Sequence, residues 1–224
     1  MKLLPFSTNN GIQMMKTSIG ANGVICRDGT LDLMVSKEIN RCYKTLPVSG
    51  KIVLDIGGNI GAFARWAILN GAKQVISIEP EQSNFECLLE NTKGLNVVCL
   101  RGCLDLDDGF TKIYLSTGTN PGNTTQTPRR GRFEQTVPKV SFHSVMSKYK
   151  PESVKVDCEG AEYNIGRASM WPHCVKNVCG EVHINGFGKQ AAMNYINEYS
   201  GWKKIITPKV SEKAWHTIVS WERQ

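Results

Sequence analysis

The sequence predicts an α/β protein built on a doubly wound, Rossmann-like, seven-stranded sheet, mostly parallel, with a C-terminal antiparallel hairpin. Three observations lead there. From Lys51 onward, short β-branched apolar runs alternate with runs of helical spacing, the pattern of βαβ units. A glycine-rich turn, "DIGGNIGA" from Asp55, joins the first such strand to the first helix. Two late segments, "WKKIITP" and "AWHTIVSW", read as an antiparallel edge hairpin.

Residues 1–50 carry no clear motif and form an N-terminal extension. Within them "GVICRDGTLDLMV" (Gly23–Val35) predicts a hairpin, because alternating apolar residues flank Asp28-Gly29. "SKEINRCYKTL" suits a short helix. "KIVLDI" is apolar and β-branched, a buried parallel strand. "GAFARWAIL" follows, with Phe63, Trp66, Ala67 and Leu69 near helical spacing. "QVISIE" (Gln74–Glu79) is the second strand. "SNFECLLENT" is the second helix, opened by a capping box of Ser83 and Glu86 and turning Phe85, Leu88 and Leu89 inward. "NVVCL" is the third strand, and "FTKIYL" an accessory strand. Ser116–Phe133 has loop composition and a length that suggests function or disorder. "SFHSVMSKY" packs through Phe142, Val145, Met146 and Tyr149, leaving His143 without a role. "SVKVD" and "NVCGEVHI" are further strands. "KQAAMNYINEYSG" is an amphipathic helix with Gly201 as C-cap. No repeat or linker interrupts the chain, so residues 1–224 form one domain: extension 1–50, core 51–184, and C-terminal helix and hairpin 185–224.

Hydrophobic content of 41% with 21% charge is ordinary globular composition. No apolar run approaches the roughly 20 residues that span a bilayer, and "MKLLPFSTNNGIQMMK" lacks the apolar core of a secretory signal. These features predict a soluble, cytoplasmic protein without membrane insertion. The eight cysteines are irregularly spaced, with no paired zinc pattern, and read as buried free thiols. The net charge of +7 gathers at Arg129–Arg132 and across Trp202–Lys213. Solvated surface is the plain explanation; an anionic substrate is the sharper one.

In a doubly wound sheet the ligand lies at the carboxyl ends of the strands. That rule selects Asp55–Gly61, Glu79 with Pro80, Gly102–Leu104, Asp157–Glu159 and Glu181–His183. The spacing of Gly57, Gly58 and Gly61 fails the dinucleotide pattern G-x-G-x-x-G, and no P-loop is present. The turn reads D-x-G-x-N-x-G, with Asn59 at its centre. A carboxylate before the turn repels a pyrophosphate and suits a cation. Glu79, ending the next strand, suits ribose hydroxyls. A ribose with a positive group and no phosphate describes S-adenosylmethionine. Gly57 and Gly61 would admit it closely, and Asp55 would neutralise its charged end directly or through water. The plain alternative is a turn whose glycines serve packing alone.

These residues resemble the class I S-adenosylmethionine-dependent methyltransferases, and within them the FkbM family. "VLDIGGNIGAFARWA" through "SIEPEQSNFECLLENT" carries one half of the likeness. "VKVDCEGAEYNI" (Val154–Ile165), similar to K-[IV]-D-x-E-G-x-E, and the "GEVHI" strand carry the other. "RGCLDLDDG", with Cys103 and Leu104, matches only loosely the turn near the adenine. The resemblance implies O-methylation of a hydroxyl on a sugar, glycan or similar acceptor.

Such a hydroxyl is a weak acid and needs a base, a metal, or both. Asp157 ends a strand beside the expected methyl position, with Glu159 just beyond it. Glu181 and His183, two apart on a strand, face one side. Asp157, Glu159 and His183 are therefore the catalytic candidates. Asp157, Glu181 and His183 are the candidate ligands for Mg²⁺ or Mn²⁺. The plain alternatives are a structural Lys155–Glu162 ion pair and a hydrogen-bonded core His183. Loop Ser116–Phe133 could cover the acceptor, its Arg129, Arg130 and Arg132 holding an anionic group. Two other functions compete. Nucleic-acid methylation is favoured by the charge, yet "VDCEGAE" stands where base methyltransferases carry [DNS]-P-P-[YFW]; ribose 2′-hydroxyl methylation stays open. A ligand-sensing scaffold without catalysis is opposed by Asp55, Glu79 and Asp157 together.

Overall fold

The apolar runs align into one sheet whose two faces alternate in partner. The computed structural model describes residues 2–8, 11–115, 124–125, 133–206, 209–211 and 213–224. In chain order the elements are β1 (Lys2–Thr8), β2 (Gly11–Ile19), β3 (Ile25–Arg27), α1 (Asp32–Tyr43), β4 (Ile52–Ile56), α2 (Ala62–Leu69), β5 (Gln74–Glu79) and α3 (Gln82–Thr92). Then come β6 (Val97–Arg101), β7 (Cys103–Asp105), β8 (Phe110–Leu115), β9 (Thr124–Thr125), β10 (Phe133–Ser141), α4 (Phe142–Tyr149), β11 (Ser153–Val156) and α5 (Glu162–Ile165). The chain closes with β12 (Asn177–His183), α6 (Lys189–Glu198), β13 (Trp202–Ile206) and β14 (His216–Arg223).

The main sheet has seven strands in the order β13-β14-β12-β11-β4-β5-β6. The five from β12 to β6 are parallel, as the predicted βαβ pattern requires. β14 is antiparallel to both β12 and β13, so the last strand lies inside and β13 forms the edge, with a register shift near Lys204. Period-two alternation sorts the side chains. Leu54, Ile56, Val154, Val156, Val178 and Val182 meet α4, α5 and α6 on one face. Val53, Val75 and Cys179 meet α1, α2 and α3 on the other. Asp55, Lys155, Glu181 and His183 follow the second register, so all four face the α1 side. The accessory strand β8 belongs to a separate four-stranded sheet, β7-β10-β8-β9.

The N-terminal extension differs from expectation. No hairpin turns at Asp28-Gly29: β3 pairs back onto β2, and α1 begins at Asp32. The reason is a buried ion pair. The Asp32 carboxylate accepts from the Arg27 backbone N–H and, at 2.9 and 3.0 Å, from its guanidinium Nε and Nη2. Arg27 also donates to Ser83 and to Asn84 Oδ1, which ties α3 to the extension. The capping box fails for a related reason. The N-cap of α3 is Glu81, which accepts from the N–H groups of Ser83 and Asn84, while Glu86 reaches out to Ser7. α6 ends at Tyr199, whose N–H returns to the carbonyls of Ile196 and Asn197, and not at Gly201. The α4 stripe packs as predicted, with Val145 and Met146 buried.

Among the described residues no helix is long and apolar enough to cross a membrane. All eight cysteines are free. The loop Ser116–Phe133 lies almost wholly outside the described residues, and its three arginines entirely so.

Removing Asp32 leaves a guanidinium buried without its carboxylate. Asp32→Ala is expected to destabilise the fold by about 3–5 kcal/mol, read from urea unfolding. A paired Arg27→Met, Asp32→Leu change is expected to cost less than Asp32→Ala alone.

Candidate active site

The carboxyl ends of β4, β5, β11 and β12 open into one cavity of about 400 Å³. Gly57, Gly58, Asn59, Glu79, Pro80, Cys103 and Leu104 line one part; Asp157, Glu159, Glu181 and His183 line another. Residues from strands spread across the sequence thus reach one space. Asp55 and Gly61 do not line it.

The turn after β4 is tight because its neighbours occupy the space of side chains. The N–H groups of Gly57 and Gly58 both donate to the Ile78 carbonyl, at 3.0 and 2.8 Å. Gly57 has φ +81°, and a Cβ there would lie 1.8 Å from the Asp157 carbonyl oxygen. A Cβ on Gly58 would lie 2.2 Å from Ser77 Oγ, and one on Gly61 2.8 Å from Leu88 Cδ1. The glycines therefore serve close packing of β4 on β11 and of α2 on α3. Of the two glycines expected to admit a ligand closely, Gly57 also lines the cavity, and Gly61 does not.

Asp55 is wholly buried beneath the turn. Its carboxylate accepts from Ser77 Oγ at 2.7 Å and pairs with Lys155 Nζ at 3.1 Å. The carboxylate expected to neutralise a ligand's charge, directly or through water, has Lys155 as its partner inside the protein. Glu79 does face the cavity. It accepts the Asn59 N–H at 2.8 Å and the Glu81 N–H at 3.0 Å. Burial pushes its carboxyl up to about 7, against the opposing pull of those N–H groups.

Asp157 is held from two sides. Tyr43 Oη donates to its Oδ2 at 2.8 Å, and Lys155 Nζ stands 3.8 Å away. Tyr43 comes from α1 and is a functional candidate that sequence reading missed, since nothing local to "NRCYKTL" points toward a strand end. Glu159 sits in the left-handed region at φ 55°, rare for a residue with a Cβ. Such strain collects at functional sites.

His183 is not a plain core histidine. Its Nδ1 lies 3.0 Å from Glu162 Oε1, which also accepts the His183 backbone N–H at 2.8 Å. Its Nε2 faces Glu159 at 3.5 Å and Glu181 at 3.9 Å. Burial alone would lower its pKa, but the hydrogen bond and charge of Glu162, then Glu159 and Asp157, outweigh it and raise it to about 10. The ring is an imidazolium at neutral pH, so in this state it cannot take a proton as a base. The expected Lys155–Glu162 ion pair does not form: Lys155 faces Asp55 and Asp157, and Glu162 faces His183. Burial, then the neighbouring Asp157, pushes Glu181 up to about 8.

One ligand atom each from Asp157, Glu181 and His183 lies within 4.8 Å of the others. The three residues selected from sequence as metal ligands are thus brought together. Lys203, Lys204 and Lys209 of the basic C-terminal stretch are absent from the lining.

A family model described as the methyltransferase FkbM domain matches residues 55–205, well over half of the chain. The chain belongs to the FkbM methyltransferase family. The match begins at Asp55 and ends on β13, so it takes in every cavity-lining residue discussed so far except Tyr43, on the helix before it. Among curated proteins none matches this FkbM chain. Solved structures share its fold at low identity. TrmK from M. capricolum, in complex with S-adenosylhomocysteine, aligns with TM-score 0.51 at 8% identity, covering 84% of this chain and 68% of that one. A NADB-Rossmann superfamily protein from Streptococcus agalactiae aligns with TM-score 0.52 at 9% identity, covering 84% and 68%. An uncharacterized protein from Listeria monocytogenes aligns with TM-score 0.50 at 10% identity, covering 84% and 67%.

The folded protein holds a proton on His183 that the unfolded chain releases near 6.5. That stabilisation is complete below pH 6.5 and is lost as pH rises toward 10. Glu181 acts in the same direction between 4.5 and about 8. Ligand-free stability is expected to fall from pH 6.5 to pH 10, followed by urea midpoint against pH. Glu162→Gln is expected to flatten that fall and to bring the His183 imidazole titration down, read by NMR.

Proposed function

We propose that this FkbM protein is an S-adenosylmethionine-dependent O-methyltransferase acting on a hydroxyl of a sugar, glycan or similar small acceptor. The observation that carries the reading is the shared cavity: the Gly57–Asn59 turn and Glu79 face the same space as Asp157, Glu159, Glu181 and His183. Glu79 receives the ribose hydroxyls, beside Pro80. Cys103 and Leu104 border the adenine. The positive methionine end meets the negative field of Asp157, while Asp55 acts one layer below through Lys155. The S-adenosylhomocysteine in the TrmK complex, a protein of like fold, agrees with this choice of cofactor.

In the transfer, the acceptor oxygen forms a bond to the methyl carbon as the sulfur–carbon bond breaks, and the hydroxyl proton leaves to a base. Asp157 is the proposed base, oriented by Tyr43 and Lys155. Glu159 faces the same space. His183, locked by Glu162, fixes the neighbouring carboxylates.

The donor set also fits a divalent cation. Glu162 engages Nδ1 of His183 and leaves Nε2 toward the carboxylates, the arrangement that orients a ligating imidazole. Asp157, Glu181 and His183 would hold Mg²⁺ or Mn²⁺, which would lower the pKa of the acceptor hydroxyl. The alternative acceptor, an RNA ribose 2′-hydroxyl, draws on the net charge of +7, yet the charged side chains among the described residues lining the cavity are mainly acidic.

The test is transfer of labelled methyl from S-adenosylmethionine to saccharides and, separately, to RNA, each with Mn²⁺ or EDTA. Label on saccharide alone is expected; label on RNA alone would sink the acceptor assignment. Asp157→Asn is expected to lower kcat by about 10²–10⁴-fold at saturating S-adenosylmethionine, a loss separate from any weakening of S-adenosylhomocysteine binding read by calorimetry. Glu79→Gln is expected to weaken that binding by about tenfold in calorimetry.

A further inference from the structure

The polar groups around Glu79 continue behind the cavity wall. Asn84 stands in the first turn of α3 and is 1% exposed. It does not line the cavity, so it acts on a ligand only through a neighbour. Its side-chain amide is held from both ends. Oδ1 accepts from Arg27 Nη2 at 2.7 Å, and Nδ2 donates to Glu79 Oε1 at 3.5 Å. The first contact fixes the second. A guanidinium donates and never accepts, so the amide turns its oxygen to Arg27 and its NH₂ to Glu79. Arg27 is itself held by the Asp32 carboxylate. The Asn84 backbone N–H donates to Glu81 Oε2 at 2.7 Å, which pins the residue's main chain as well.

A contact that served only to dock α3 on β3 would be complete at Arg27 and Asn84. This one runs on to a carboxylate that faces the cavity. Glu79 Oε2 accepts the Asn59 N–H, and Oε1 accepts the Glu81 N–H. Those two donors are main-chain groups; Asn84 adds a side-chain donor. Burial favours the neutral carboxyl of Glu79, and the Asn84 amide favours the carboxylate. A carboxylate accepts from both hydroxyls of a ribose edge, whereas a protonated carboxyl turns one oxygen into a donor. Arg27 lies outside residues 55–205 of the family match. The extension thus reaches the cofactor side of the cavity through Arg27 and the transfer side through Tyr43.

We propose that Asn84, oriented by Arg27, is a positioning residue for the cofactor and holds Glu79 as the acceptor of the ribose hydroxyls. This rests on the ribose role given to Glu79 and adds the side chain behind it. Binding of S-adenosylmethionine then depends on a contact between α3 and the N-terminal extension.

The experiment measures S-adenosylhomocysteine affinity by calorimetry on the full chain. Asn84→Asp keeps the size and an oxygen for Arg27, but turns a second carboxylate oxygen toward Glu79. It is expected to weaken binding by about tenfold. On a Glu79→Gln background, where the new amide can donate to that oxygen, the same change is expected to cost less than about threefold. Asn84→Ala adds no charge and leaves Arg27 on Asp32 and Ser83. It is expected to weaken binding by about threefold, again only with Glu79 in place. A role in packing alone would lower the thermal midpoint and weaken binding equally on both backgrounds. Equal losses on both backgrounds, or unchanged affinity in both Asn84 variants, overturns the inference and leaves the cofactor reading standing. Unchanged affinity in Glu79→Gln alone overturns the ribose role of Glu79 and the inference with it.

Discussion

Lys155 lies under the turn between β4 and α2, and the geometry of the cavity floor depends on it. Its ammonium faces Asp55 at 3.1 Å and Asp157 at 3.8 Å, and donates to the carbonyls of Gly57 and Ile56. The rings of Tyr43 and Phe63 lie 5.7 and 5.9 Å away. Burial opposes the charge, and the two carboxylates more than offset it, so the lysine stays protonated. One residue thereby joins β4, the glycine turn, β11 and the base candidate. The 1.8 Å gap for a Cβ at Gly57 is the steric counterpart of that attachment.

A second buried pair divides the carboxylates by task. Glu162 is wholly buried and bound to both the ring and the backbone of His183. It is therefore an orienting group, while Asp157, Glu159 and Glu181 keep oxygens toward the cavity. The same division explains why a histidine that looks like a base in sequence is cationic in the fold. Three acids around one imidazole favour its charged form. That cationic state is also what a divalent ion would replace, which joins the proton and metal readings of the site into one electrostatic account.

Much of this was legible from local pattern. The β-branched runs at Ile52–Ile56 and Gln74–Glu79, the glycine turn between strand and helix, and the alternation that sets Glu181 and His183 on one face all depend on neighbours in sequence. The site list followed from the rule that ligands gather at the carboxyl ends of parallel strands. What failed were partner assignments. Asp28-Gly29 looked like a hairpin turn because no local feature revealed that Arg27 would pair with Asp32 under α3. Ser83 and Glu86 looked like a capping box because the competing partner of Glu86, Ser7, lies 79 residues away.

The sequence by itself determined the strand and helix order, the conformation of the turn, and which carboxylates stand at strand ends, since backbone sterics and two-residue periodicity act over a few residues. Only the tertiary structure decided how those charges are matched. Tyr43 meets Asp157 across 114 residues of chain, and Asp55 turns inward to Lys155 instead of outward to a ligand. Coulomb energy and desolvation depend on distance through space and on burial, and neither is set until the sheet closes.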